Sequence, residues 1–110
     1  MVVIHGLKSC DTCRKALREL REFGRDASLR DLRAQPPEAG EVAQWRATLG
    51  PDLLNKRSAT WRALTDTDRA GDVERLLLSH PTLIKRPVIA DGSSLYLGWN
   101  AEVRAALGLS

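Results

Sequence analysis

The chain has 110 residues, a net charge of +3 and two cysteines. At about 150 residues for a typical domain, this length predicts one domain, and it is enough to enclose one core. With 43% apolar and 28% charged residues, the composition excludes disordered, collagen-like and coiled-coil chains. The apolar runs are too short for a membrane span, and the N-terminus lacks the basic and long apolar segments of a signal peptide. We therefore expect a cytoplasmic protein with no membrane partner.

The positive charge is spread along the chain. Its 17 Lys and Arg residues are interspersed with 14 Asp and Glu residues, a pattern typical of solvated helix faces with i, i+4 pairs. Nucleic-acid binding requires a denser basic stripe and exposed aromatic side chains for stacking. We therefore expect no direct nucleic-acid partner, and we expect a monomer.

Signals for a strand, a helix and a second strand open the chain in that order. Residues 2–4 form a short apolar run closed by Gly6, which predicts a buried strand. A polar segment follows, and then an apolar repeat at helical spacing predicts an amphipathic helix: Cys13, Ala16, Leu17, Leu20 and Phe23. Gly24 predicts the end of this helix, and residues 28–32 predict the second strand. This order is typical of a parallel βαβ unit.

Helices dominate the middle of the chain. The prolines at 36 and 37 break the first pattern, and helices are predicted over residues 38–49 and 72–79. Between them, residues 53–57 are predicted to be a connector and residues 61–64 a helical turn. These elements form a helical insert over about residues 36–80.

The last third of the chain predicts a hairpin and a helix. Residues 83–90 predict a strand that contains Pro87, and because proline cannot donate to a sheet ladder, it marks an edge or a special turn. The Asp-Gly pair at 91–92 predicts the hairpin turn, and residues 94–99 the returning strand. Asn100 is a predicted cap of a final helix that Gly108 ends.

The predicted element order defines the fold class. A β-α-β unit, a helical insert and a β-β-α unit predict an α/β protein with four strands in one mixed sheet. The order fits a thioredoxin-like fold interrupted by helices, as a single domain over residues 1–110.

The two cysteines, Cys10 and Cys13, stand three residues apart. They are too few for a disulfide framework and supply half the ligands of a structural zinc site. His5 and His80 lack the paired spacing of a zinc finger, so we expect no metal. Cys10 precedes the predicted helix, where unpaired backbone N–H groups and the helix dipole stabilise a thiolate. Cys10 is therefore the predicted nucleophile.

Cys13 lies one helical turn later, and two interpretations of it stay open. As a resolving cysteine, it would attack a mixed disulfide on Cys10 and form a labile intramolecular disulfide. As a structural residue, it would pack as a small hydrophobic side chain on the apolar face of the helix.

Charged residues flank Cys10 in the sequence. Lys8, Arg14 and Lys15 favour its thiolate form, and Arg14 is a candidate anion-binding residue. Asp11 opposes the thiolate unless its carboxylate turns toward the helix N–H groups as a cap.

Arg57 and Arg86 are the other candidate binding residues. A guanidinium group binds carboxylates and oxyanions through two parallel hydrogen bonds. Each arginine taken alone is more often a surface residue. Arg86 is the stronger candidate because it precedes Pro87, and in thioredoxin-like sheets the cis-proline loop faces the cysteine.

Four segments of the chain resemble the arsenate reductase-like (ArsC/Spx/YffB) family. They are IHGLKSCDTCRKA at residues 4–16, LNKRSATWR at 54–62, HPTLIKRPVI at 80–89 and LGW at 97–99. They fall in the family's order and cover nearly the whole chain. The resemblance implies a thioredoxin-like domain with a helical insert, a catalytic cysteine at Cys10, anion-binding Arg57 and Arg86, and a cis-proline at Pro87.

Two departures from the family pattern concern the function. Arsenate reductases of this family carry a third arginine just after the last strand, where this chain has Leu-Gly-Trp at 97–99. They also carry a histidine four residues before the cysteine, where this chain has Gly6. His5 is one residue away, which on a strand turns its side chain to the opposite face. We therefore expect weak or no arsenate reduction.

The resemblance to the YffB subgroup is closer. It implies a thiol/disulfide oxidoreductase, which we expect to be glutathione-dependent, with no bound cofactor and with glutathione or another small thiol as co-substrate. The Cys-x-x-Cys pair also resembles Spx, a redox-sensing regulator that binds the α subunit of RNA polymerase. Both functions require the pair, so it does not separate them. The Trp61-Arg62 pair and the segment at 97–99 favour the reductase.

Overall fold

The computed structural model describes residues 1–109. The chain divides into two compact units, of which the first contains Met1–Asp31 and the segment from Arg86 onward, and the second contains Leu32–Lys85. No helix within residues 1–109 is long and apolar enough to cross a membrane. The single domain with an insert over about residues 36–80 stays a prediction.

Four strands and six α-helices make up the described chain. In chain order they are β1 (Val2–Gly6), α1 (Asp11–Glu22), β2 (Ala27–Asp31), α2 (Ala39–Leu49), α3 (Ala59–Ala63), α4 (Asp66–Arg69), α5 (Val73–Ser79), β3 (Val88–Asp91), β4 (Ser94–Leu97) and α6 (Ala101–Ala106). Two short 3₁₀ helices, Pro51–Leu53 and Pro81–Leu83, lie within the second unit.

The first unit is built on one mixed sheet in the order β2-β1-β3-β4. β1 is parallel to β2, with Ile4 opposite Leu29, and antiparallel to β3, with Ile4 opposite Ile89. β3 and β4 form the hairpin, whose two-residue loop begins at Gly92 with φ +60°. The predicted α/β, thioredoxin-like fold with a four-stranded mixed sheet is confirmed.

Helix α1 covers one face of this sheet because its apolar residues recur at helical spacing. Gly24, with φ +87°, follows its last turn as predicted. Each fully buried aliphatic side chain contributes about 1.5–3 kcal/mol. The buried core joins residues of the strands, α1 and the C-terminal segment: Val2, Ile4, Cys13, Ala16, Leu20, Ala27, Ile89, Val103, Leu107 and Leu109.

The second unit is helical, and α2 packs against α5. Glu38 and Glu41 form a capping box at the start of α2, and Arg46 of α2 pairs with Glu74 of α5 at 3.1 Å. Leu54 and Ile84 form an isolated antiparallel bridge. The buried apolar side chains of this unit are Leu32, Val42, Trp45, Leu53, Leu54, Leu76, Leu77, Leu83 and Ile84.

The third and fourth predicted strands are shorter in the structure. The strand predicted over residues 83–90 is wrong in its first half, because Leu83 ends a 3₁₀ helix, Ile84 forms only an isolated bridge and β3 begins at Val88, after Pro87. The returning strand ends at Leu97 because Gly98 adopts φ +83°, outside the β region. The sequence pattern also missed α4, which is a single turn.

Candidate active site

The loop between β1 and α1 places Cys10 at the N-cap of α1. Its backbone is extended, with φ −83° and ψ 118°, and its carbonyl accepts a hydrogen bond from the N–H of Arg14 at 3.0 Å. The Cys10 N–H donates to the carbonyl of Leu7 at 3.1 Å, and the Lys8 N–H donates to the Asp31 carboxylate at 3.0 Å. These contacts hold the thiol at the positive end of the helix dipole.

The Cys10 thiol is partly buried and lies beside three hydrogen-bond donors. Burial raises its pKa, but hydrogen bonds from the Cys13 backbone N–H, the Cys13 thiol and the Arg86 guanidinium outweigh burial. The positive charge of Arg86 acts in the same direction, so the pKa of Cys10 lies below its ordinary value. The structure therefore favours the thiolate form, which is the nucleophile.

Cys13 is the opposite case, because its side chain is fully buried in the core. Burial raises the pKa of Cys13 to about 12. The Cys10 side chain also raises this pKa, whereas the Leu7 backbone N–H and Arg86 lower it. Cys13 thus stays protonated at neutral pH and donates its S–H to Cys10. It both packs in the core and contacts Cys10, so its resolving role stays a prediction.

Arg86 and Pro87 precede β3 in the same unit as Cys10. The Arg86–Pro87 peptide bond is cis, as the family resemblance implies for Pro87. The Pro87 carbonyl accepts a hydrogen bond from Gly98 at 2.8 Å, and the Arg86 guanidinium reaches the Cys10 sulfur. The structure therefore brings Arg86 and Cys10 together.

Arg14 and Asp11 form an ion pair on the exposed first turn of α1. The Asp11 side chain is 92% exposed, and it pairs with Arg14, three residues further along α1, rather than capping the helix N–H groups. The alternative of a capping Asp11 is therefore wrong. The structure gives Arg14 a carboxylate partner, and its predicted binding of a substrate anion stays a prediction.

Arg57 belongs to the second unit and is exposed. It lines a cavity of about 700 Å³ together with three other cations, Arg46, Lys56 and Lys85. Asp52 also lines this cavity, so the excess charge is positive and favours an anionic ligand. We name this cavity the cationic cleft. That Arg57 and Arg86 hold one anion together stays a prediction.

His5 and Gly6 lie on opposite faces of β1, as strand geometry requires. The buried His5 ring lies beside its cross-strand partner Arg30, with 3.4 Å between Nδ1 and the guanidinium. Gly6 faces the Cys13 side chain under α1. Within residues 1–109, no three His, Cys, Asp or Glu side chains come together as a set that could hold a metal ion.

Sequence reasoning missed the part that Asp31 takes in this site. It ends β2 beside Gly6, its partner in the parallel register, and its carboxylate fixes the Lys8 backbone. An acidic residue at the end of a strand predicted to pair with β1 is a signal that points to this contact.

Comparison with known proteins finds one family across almost the whole chain. A model of the ArsC family matches residues 5–107. An uncharacterized protein of Haemophilus influenzae is 35% identical over 108 residues, which are 93% of this chain and 94% of that protein. The global transcriptional regulator Spx of Bacillus subtilis is 32% identical over 108 residues, 93% of this chain and 82% of that protein.

A solved structure named YFFB (PA3664) protein has the same fold. It superimposes with a TM-score of 0.88 at 30% sequence identity, and the match covers 97% of this chain and 98% of that chain. The similarity therefore extends over both units.

Proposed function

Since the chain belongs to the ArsC family, we propose that it is a thiol-dependent reductase of the cytoplasm in which Cys10 is the nucleophile. One observation carries the proposal: Cys10 lies at the N-cap of α1, in hydrogen-bond contact with the Arg86 guanidinium and with Cys13. Reactive cysteines require this kind of electropositive, partly exposed setting.

The first step is thiol–disulfide exchange on an oxidised substrate. The Cys10 thiolate attacks one sulfur of a mixed disulfide, a new S–S bond forms, and the other sulfur leaves as a thiolate that takes a proton from solvent. Arg86 stabilises the attacking thiolate through the contact it already makes. At the end of this step one half of the substrate has been released as a thiol, and the other half is bonded to Cys10 as a mixed disulfide.

The second step releases that fragment and involves Cys13. Once Cys10 is in a disulfide, its negative charge is gone, and with it one contribution that raises the pKa of Cys13. The Cys13 sulfur loses its proton to solvent and attacks Cys10, so that the fragment leaves as a thiol and a Cys10–Cys13 disulfide remains. Two molecules of glutathione then reduce this disulfide and become oxidised glutathione. A second glutathione attacking the adduct directly is the alternative route.

The proposed co-substrate is anionic, because glutathione carries two carboxylates. The cationic cleft, with Arg57 among its lining residues, supports binding of an anionic group in the second unit. The pairing of Arg14 with Asp11 on the exposed first turn makes Arg14 the weakest of the three proposed anion ligands.

We propose weak or no activity toward arsenate. Residues 97–99 hold no arginine and Gly6 brings no imidazole to the site, so two of the groups that the family resemblance implies for that reaction are missing.

The experiment is a glutathione-coupled turnover assay on a panel of mixed disulfides and on arsenate. We expect turnover of at least one disulfide by the unaltered protein and only the uncatalysed background with Cys10→Ser. The matched control is Ser9→Ala, which changes a neighbouring loop side chain and retains the thiol. Equal turnover by Cys10→Ser and the unaltered protein contradicts the proposal.

A second candidate function rests on the 32% identity to Spx over 108 residues. Under it the Cys10–Cys13 pair is a redox switch, and the partner is the α subunit of RNA polymerase. A pull-down with the C-terminal domain of that subunit, on reduced and oxidised protein, separates the two functions. Redox-dependent binding without turnover of any disulfide favours the regulator.

A further inference from the structure

A side chain at position 6 would occupy the same space as the Cys13 sulfur. A Cβ atom built on Gly6 would lie closer than 3.0 Å to the Cys13 sulfur, a separation that real Cβ atoms essentially never show, and 3.3 Å from the Cys13 Cβ. The sulfur therefore occupies the volume that any side chain at position 6 would fill.

Backbone conformation does not explain a glycine at this position. Gly6 is the last residue of β1, is hydrogen-bonded into the sheet opposite Asp31, and is not among the glycines with positive φ. Any residue can adopt this conformation. Gly40 gives a useful contrast, because a Cβ built there meets nothing within 4 Å.

The Cys13 sulfur has no room to yield without losing its contacts. The residue is fully buried among core side chains, and helical geometry limits its rotamers. In its present position the sulfur accepts the Leu7 backbone N–H and contacts the Cys10 thiol. A side chain at position 6 displaces the sulfur from this position.

We infer that Gly6 is a positioning residue for the thiol pair, because the missing side chain leaves the space from which Cys13 reaches Cys10. The inference rests on the proposed function and deepens it by naming what couples the two thiols. A side chain at position 6 and a thiol at position 13 exclude each other in this geometry. A histidine, which the family resemblance implies for arsenate reductases at this position, would fill the same volume.

The test is a double-variant cycle of Gly6→Ala and Cys13→Ala, read by the pH midpoint of Cys10 alkylation with iodoacetamide. We expect Gly6→Ala to raise the midpoint by about half a unit or more, so that alkylation at a pH below the midpoint slows about threefold or more. Cys13→Ala has the same effect, and the double variant shows no further rise, because both changes remove the same contact. Gly40→Ala is the matched control and leaves the midpoint unchanged.

Thermal unfolding gives the second readout, on the unaltered protein, the two single variants Gly6→Ala and Cys13→Ala, and the double variant. Gly6→Ala unfolds at a lower temperature than the unaltered protein, and Cys13→Ala in the same chain restores part of the loss, because removing the sulfur makes room for the new methyl group. If Gly6→Ala does not fold at all, folding of the double variant alone supports the shared space. A double variant less stable than Gly6→Ala overturns the inference, as does an unchanged midpoint in a folded Gly6→Ala.

The two failures are distinguishable. An ordinary alkylation midpoint in the unaltered protein contradicts the proposed function, yet the rescue of Gly6→Ala by Cys13→Ala still measures the shared space. Conversely, the midpoint of Cys10 in the unaltered protein can lie below the ordinary thiol value while the stability losses of Gly6→Ala and Cys13→Ala simply add. That result overturns only the assignment of Gly6.

Discussion

The surroundings of Cys10 and the cationic cleft present positive charge in two different ways. At Cys10 one guanidinium, one buried thiol and a backbone N–H contact a single sulfur atom. In the cationic cleft the exposed Lys56, Arg57 and Lys85 line a cavity of about 700 Å³. Fixed, partly buried contacts shift the chemistry of one atom, whereas exposed charges act through a field that salt screens. Substitutions of the groups that contact the Cys10 sulfur should therefore have large effects, and substitutions in the cationic cleft small ones.

Arg86→Ala is the substitution with the largest expected effect on this comparison. It removes a hydrogen bond and a positive charge from the Cys10 sulfur, so the pKa of Cys10 rises. At a pH below the midpoint of the unaltered protein, we expect the rate of Cys10 alkylation to fall by about tenfold, which corresponds to one pKa unit. Arg86→Lys keeps the charge and should retain part of the rate. An unchanged rate in Arg86→Ala would show that the contact has no chemical effect.

The raised pKa of Cys13 predicts that the folded protein loses stability at high pH. Its pKa is raised from 9.0 to about 12 in the folded chain, so between these values the folded state retains a proton that the unfolded state has lost. The free energy of unfolding therefore falls as pH rises from 9 toward 12, by at most about 1.4 kcal/mol per pH unit from this residue. Urea unfolding from pH 7 to pH 11 measures the slope.

Cys13→Ala is the matched variant for that slope. It is less stable than the unaltered protein at pH 7 because it loses buried volume, but its stability should fall less steeply above pH 9. Parallel curves for the two proteins would contradict the assignment of the raised pKa to Cys13.

Arg57→Ala should have a smaller effect, confined to ligand binding. Exposed charges contribute about 0.2–1 kcal/mol, so we expect the affinity for glutathione to weaken by about 1.4- to fivefold and the difference to shrink in high salt. Arg18→Ala removes another exposed positive charge, from α1, and serves as the control. A tenfold or larger loss of glutathione affinity in Arg57→Ala that does not depend on salt would contradict the difference between the two regions.

Asp11→Asn should have the smallest effect. Its carboxylate is 92% exposed and pairs with Arg14 in solvent, where such pairs contribute little. We expect the alkylation rate of Cys10 to change by less than about twofold. A larger increase, measured in the same assay, would show that the Asp11 charge reaches the thiol.

Most of the fold can be predicted from local sequence patterns. The spacing of Cys13, Ala16 and Leu20 predicts both the helix and its buried face, and Asn100 caps α6 as its residue type predicts. These features depend on neighbours within one or two turns, so they are readable from sequence.

Contacts between distant segments are less readable. The bridge between Leu54 and Ile84 replaces the first half of a predicted strand, and its partner lies 30 positions away. The carboxylate of Asp31 likewise accepts a hydrogen bond from the Lys8 N–H, although the two residues are 23 positions apart in the sequence. For the site, the sequence indicated Cys10 and Arg86, whereas the space shared by Gly6 and Cys13 depends on how closely α1 packs on β1.

The pH dependence of Cys10 alkylation tests the central claim most directly. With Cys13 buried, the rate of iodoacetamide labelling at Cys10, followed by mass spectrometry from pH 4 to pH 10, reports the thiolate fraction of one sulfur. We predict a midpoint below the ordinary thiol value of about 8.5. A midpoint at or above that value would contradict an activated nucleophile at the start of α1.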